Sequence, residues 1–195
     1  IRRQGNRVQP VLGWALACAL LVPPAWALAK DLPPYDLEKH RAVLAYLQRQ
    51  RQPGDVVYVF PLSWIGTLFY GPRFGLQPSE WITATCDRYE SRPYLRDVDR
   101  FRGVPRLWVL TTGSRAFRVA RAAVRDYLGT IGVRRDSLTL PSLTQNNVTL
   151  ELYDLSDPKR LAAADAATFP APPMPNDPRP GCRVFVQPVQ MDQFD

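Results

Sequence analysis

The chain has 195 residues, with 46% apolar and 22% charged residues, values that suit one ordinary domain with a real core and argue against overall disorder. The formal charge is +7, but Arg2, Arg3 and Arg7 precede a hydrophobic segment, and without them 22 basic residues face 18 acidic ones. This mild excess is dispersed and lacks the basic stripe with interleaved aromatics that a nucleic-acid surface needs, so no nucleic-acid partner is expected. Arg115, Arg118, Arg121 and Arg125 form a helical row, which reads as a solvated helix face.

No charge occurs from Val8 to Ala29, a run of 22 residues, and about 20 are needed to cross the hydrocarbon core. Trp14 and Trp26 sit near its two ends. The basic flank lies on the N-terminal side only, which orients a spanning helix with residue 1 in the cytoplasm and the remainder outside. A secretory signal peptide is the alternative. Its n-region is the arginine cluster, its apolar core is Val11 to Val22, and Ala27-Leu28-Ala29 is the cleavage site. Both readings put the later residues on the extracytoplasmic side. Residues 1–29 are thus a membrane segment or signal peptide, 30–36 a Pro-containing linker, 37–167 an α/β domain and 168–195 a tail. Six of the twenty prolines lie between Pro170 and Pro180 of that tail.

Asp36 suits the N-cap of a helix from Leu37 to about Arg51, closed by Pro53-Gly54. Val56 to Phe60 is a continuous apolar run, the mark of a strand buried on both faces. Ser63 caps a short helix to Tyr70, and Trp81 to Cys86 is a weaker strand. A helix from Tyr94 to Phe101 starts after Pro93, and Arg106 to Leu110 is the third strand. Ser114 caps the clearest helix, in which Phe117, Ala120, Val124, Tyr127, Leu128 and Ile131 follow the 3.6-residue period and Gly132 suits the C′ position. Val133 to Leu140 and Val148 to Leu155 read as a hairpin, Leu161 to Ala167 as a helical turn and Arg183 to Val189 as a late edge strand. The predicted fold is α/β, a mainly parallel small sheet with packed helices and a C-terminal hairpin, preceded by one transmembrane helix.

The chemistry-bearing motifs are sparse. Pro61 to Gly66 lacks a dinucleotide-binding glycine pattern, and no Walker loop, nucleophile elbow or zinc-protease motif occurs. His40, the only histidine, reads as a surface or half-buried residue, and no metal site or cofactor is expected. Asp87, Arg88 and Tyr89 follow the second strand, where α/β domains bind ligands, and are the one cluster nominated for sugar or phosphate contact. A surface ion pair is the plain alternative. Cys18 lies in the apolar segment, while Cys86 and Cys182 form either a disulfide pinning the tail or two separate thiols.

Several stretches occur in a suggestive order: Arg41 to Leu47, Gln52 to Val59, Leu68 to Gly71, Phe101 to Leu110, Tyr127 to Gly132 and Leu152 to Pro158. From about Val11 to Pro158 this order resembles the C-terminal extracytoplasmic domain of bacterial polytopic GT-C glycosyltransferases. These are the proteins related to dolichyl-phosphate-mannose–protein mannosyltransferases and to the lipid A aminoarabinose transferase. The resemblance implies a protein that transfers a sugar from a polyprenyl-phosphate donor at the outer membrane face. In such proteins the catalytic carboxylate lies in an early loop, so no catalytic residue carries over to this chain. The implied partners are the membrane, an upstream transmembrane bundle of the same protein, and a lipid-linked sugar or acceptor. A secreted or periplasmic α/β binding module, released by cleavage after Ala29, is the competing expectation.

Overall fold

Pro53-Gly54 ends a helix and starts a strand, and Gly54 makes the reversal with φ of +89°, a value that side chains other than glycine's disfavour. This junction lies in a computed structural model that describes residues 8–31, 39–87, 90–114, 116–142 and 146–172. The chain divides into two units, residues 1–36 and 37–195.

In the first unit, α1 spans Val8–Asp31 with Pro23 and Pro24 inside it. Among the described residues no helix is long and apolar enough to cross a membrane. The spanning helix expected over Val8 to Ala29 is therefore not found there.

The second unit runs α2 (His40–Gln50), β1 (Val56–Val59), α3 (Ser63–Tyr70), β2 (Trp81–Thr83), α4 (Arg92–Asp99), β3 (Leu107–Thr112), α5 (Arg118–Ile131), β4 (Val133–Leu140), β5 (Val148–Asp154) and α6 (Pro158–Leu161). The five strands form one sheet in the order β2-β1-β3-β5-β4. Strand alternation sorts the core into two layers. Val57, Val59, Trp108, Leu110, Val148, Leu150 and Leu152 pack with Val43, Leu44 and Leu47 of α2. Tyr58, Phe60, Leu107, Val109 and Tyr153 pack on the other face with α4 and α5.

The α/β class is as expected, but the sheet is mixed rather than mainly parallel. β1 pairs in parallel with β2 and β3, whereas β3–β5 and β5–β4 are antiparallel. The crossover through α5 does carry β4 into the direction of β3. The returning strand β5 then inserts between them, and every residue of it from Val148 to Tyr153 is buried. β4 becomes the edge, with half its side chains exposed.

Helix ends depart from expectation in an instructive way. α2 starts at His40 with Lys39 as an uncapped N-cap, and Asp36 lies outside the described residues. Ser63 is the first residue of α3 and makes no cap; its hydroxyl turns to Thr112. α5 starts at Arg118, four residues after Ser114, whose hydroxyl accepts the Ala116 N–H at 3.2 Å. Gly132 has φ of −147°, so it is no left-handed cap. It is small because a Cβ there would sit 2.3 Å from Leu155 Cδ2 and 2.7 Å from the Asp154 carbonyl. The helical turn expected over Leu161 to Ala167 is α6, one turn earlier, with Asp157 accepting the Lys159 N–H at 2.9 Å. The edge strand expected over Arg183 to Val189 lies outside the described residues.

After α6 the chain returns to α4. Arg102 binds the carbonyls of Leu161 and Ala164, Arg92 binds those of Ala166 and Ala167, and Ser91 donates to Pro172 O at 2.7 Å. Cys86 is disulfide-bonded and Cys18 is free; Cys182 lies outside the described residues.

Candidate functional site

Parallel strands β2, β1 and β3 end at the same edge of the sheet. The connection from β1 leads to one side and that from β3 to the other, so the gap between their C-terminal ends is the switch point where open α/β sheets bind ligands. In this chain the gap is filled from within. Ser63 Oγ, just past β1, and Thr112 Oγ1, at the end of β3, lie 2.9 Å apart. His40 Nε2 lies 3.2 Å from the same threonine hydroxyl, and Thr67 Oγ1 donates to the Ser63 carbonyl at 2.8 Å. All four residues are buried, Ser63 and Thr67 completely.

Imidazole and hydroxyls in a row invite comparison with a nucleophile–base pair, but the geometry differs. The imidazole reaches Ser63 only through Thr112, and Ser63 has no surface open to a substrate. The cluster satisfies buried polar groups and ties α2, α3 and β3 together. His40 is therefore a core residue, 2% exposed, not the surface or half-buried one expected. Its signal was available: with Val43, Leu44 and Leu47 it falls at offsets of three, four and seven, on the buried stripe of α2. Gly66 of α3 makes room for the ring, since a Cβ there would lie 2.7 Å from His40 Cγ and Cδ2. Gly66→Ala is expected to destabilise the domain by about 1–3 kcal/mol, although alanine favours a helix. A urea-unfolding midpoint at or above that of the parent would contradict this packing.

The nominated cluster after β2 is placed only in part. Asp87 is half-buried and shapes the loop: its Oδ1 accepts the Glu90 N–H at 2.9 Å, and Tyr94 Oη donates to its carbonyl at 2.6 Å. Arg88 and Tyr89 lie outside the described residues. The arginine row on α5 is not uniformly solvated. Arg118 is exposed and Arg115 lies outside the described residues. Arg121 is half-buried, and burial, then the neighbouring Arg125, pull its guanidinium below the usual arginine range. Among the described residues no group of three or more His, Cys, Asp or Glu could hold a metal ion.

Among the described residues of this unit, Ile65, Phe69 and Ile82 are the large apolar side chains that stand out to solvent. Ile65 and Phe69, four residues apart on α3, are 50% and 64% exposed, and the Arg73 guanidinium lies 5.7 Å from the Phe69 ring centre. Comparison with protein-family models, curated proteins and solved structures finds no match to this chain.

Proposed function

We propose that this chain is a non-catalytic, outer-face domain of a membrane glycosyltransferase-like protein, which transfers a sugar from a polyprenyl-phosphate donor with chemistry located upstream of Ile1. The observation that carries the non-catalytic part is the closed switch point, where the Thr112 hydroxyl joins His40 to Ser63 beneath the surface. The order of motifs from Val11 to Pro158 supports the family. The Cys86 disulfide, for which we take Cys182 as the partner, suits an oxidising extracytoplasmic compartment. Residues 1–29 are the membrane-side segment in this reading.

Ile65 and Phe69 then belong to a docking face for the part of the protein upstream of Ile1. Fully burying each would contribute about 1.5–3 kcal/mol. Ile65→Ser with Phe69→Ser in the full-length protein is expected to lower sugar transfer at least about tenfold. The unfolding midpoint of the isolated 195-residue chain should stay unchanged.

The deciding test is the reading frame upstream of Ile1. Further hydrophobic spans in frame would support the reading, and a stop codon immediately upstream would remove it. A mature N-terminus at Lys30 would favour the free binding module instead. Transferase activity in the purified chain itself would overturn the non-catalytic assignment.

A further inference from the structure

The C-terminal half of α5, the start of β4, Tyr153 of β5 and α6 line an open cleft of about 310 Å³ on the second unit. Three guanidiniums line it, those of Arg125, Arg134 and Arg160. Beside them Glu151 is 5% exposed. It accepts from Arg134 Nη1 at 2.9 Å, faces Arg125 Nε at 3.6 Å and accepts the Tyr153 hydroxyl at 3.3 Å. This one carboxylate fixes two guanidiniums, yet both arginine side chains remain 51% exposed. Each guanidinium carries five N–H donors, more than this one carboxylate takes up.

Arg160 has a different anchor. Its Nη1 donates to the carbonyls of Gly132 at 2.8 Å and Gly129 at 3.3 Å. Those carbonyls are the negative end of α5 and would repel an anion if left bare. Arg160 covers them and adds a third positive charge. Among the described residues that line or touch the site, three guanidiniums face one carboxylate, an excess of two positive charges.

Gly129 supplies an independent observation. A Cβ there would meet nothing within 4 Å, in contrast to Gly132, which is packed against Leu155 and Asp154. Alanine would favour the helix by about 1 kcal/mol, so packing does not explain the glycine. The space over Gly129 is open, so a longer side chain placed there can reach the site.

The geometry points to an anion-binding site here that takes a phosphate monoester. A dianion matches the two unbalanced charges, and guanidinium forks suit phosphoryl oxygens better than point charges do. The cavity exceeds a bare phosphate, and Val133 and Tyr153 supply a wall for a small organic body. A soluble organophosphate and a lipid headgroup phosphate share this chemistry, and the assignment does not rest on the transferase reading.

The test uses the full chain. Calorimetry measures glycerol 3-phosphate and inorganic phosphate against chloride at constant ionic strength. Flotation measures vesicles of phosphatidylcholine with and without phosphatidate. Saturable binding is expected in at least one arm; the soluble arm alone identifies a free organophosphate, and the vesicle arm alone a headgroup. Gly129→Glu puts a carboxylate in the mouth without touching the Glu151 pairs, and binding should fall at least about tenfold. Gly129→Ala should bind as the parent does. If Gly129→Glu does not fold, Arg160→Gln gives the same readout. Parent-like binding by a folded Gly129→Glu (or by Arg160→Gln in its place), or no binding above chloride in either arm, would overturn the site.

Discussion

Asp55→Ala should unfold at far lower urea than the parent, with a loss of about 3–5 kcal/mol, because it removes the buried acceptor shared by an ion pair, a turn and a core indole. The Asp55 side chain is 1% exposed. Its oxygens accept from Arg106 Nε at 2.7 Å, Trp108 Nε1 at 2.7 Å and the Gln52 N–H at 3.0 Å. One carboxylate thus closes the turn before β1 and satisfies the indole of a tryptophan wholly inside the core. Alanine leaves that indole N–H and the guanidinium without their acceptor.

The same residue sets a pH dependence. Burial alone would raise the Asp55 carboxyl, but the hydrogen bonds from Arg106, Gln52 and Trp108 outweigh it and hold the group below the usual carboxylate value. A folded-state value below the unfolded one stabilises the domain fully above the unfolded value, near pH 4. That stabilisation is lost as pH falls through the lower, folded value. Parent stability should therefore decline below about pH 4 more steeply than that of Asp55→Ala. Parallel curves for the two proteins would show that the carboxylate is not the acceptor described.

Asp97→Ala is the second large effect, at about 2–4 kcal/mol, since it orphans two buried or half-buried donors and one ion pair. Asp97 Oδ2 accepts the Thr85 N–H and the Tyr58 hydroxyl, the latter at 3.3 Å, and Oδ1 accepts from Arg100 at 2.8 Å. Burial, and then the Asp97 charge, hold the Tyr58 hydroxyl well above its usual range, so it stays a donor. The bond to Thr85 fastens the loop after β2, which carries Asp87, to α4. Amide exchange in residues 84–87 should rise in Asp97→Ala beyond the rise in the strands. Uniform acceleration across the sheet would mean that Asp97 acts on global stability alone.

Much of the secondary structure was readable because it rests on local patterns. β1 is a continuous apolar run in sequence and β3 opens on one, Leu107 to Leu110, and both strands are buried on both faces. The 3.6-residue period of α5 names its buried face: Phe117, Ala120, Val124, Tyr127, Leu128 and Ile131 all reside in the core. Sheet order was not readable, because nothing local tells β5 to enter beside β3 in preference to β4. That choice belongs to the burial of Val148, Leu150 and Leu152 against α2, far away in sequence. The serines misled, since Ser63 and Ser114 are good caps by type, yet tertiary bonding claims Ser63 for Thr112. The polar cluster joins residues 49 and 72 positions apart, and the arginine cavity draws on α5, β4 and α6. Only the offset of His40 to the apolar stripe of α2 pointed inward.

The insertion of β5 between β3 and β4 has a consequence for how the chain acquires its shape. During synthesis from the N-terminus, β3, α5 and β4 all leave the ribosome before β5. Until Asp154 has emerged, one side of β3 offers unpaired N–H and C=O groups, and β4 has no neighbour to join. A β4–β5 hairpin that closes before it docks would bring both strands to that side of β3 together. Nascent chains halted before β5 is complete leave that side of β3 open to strand exchange with another copy.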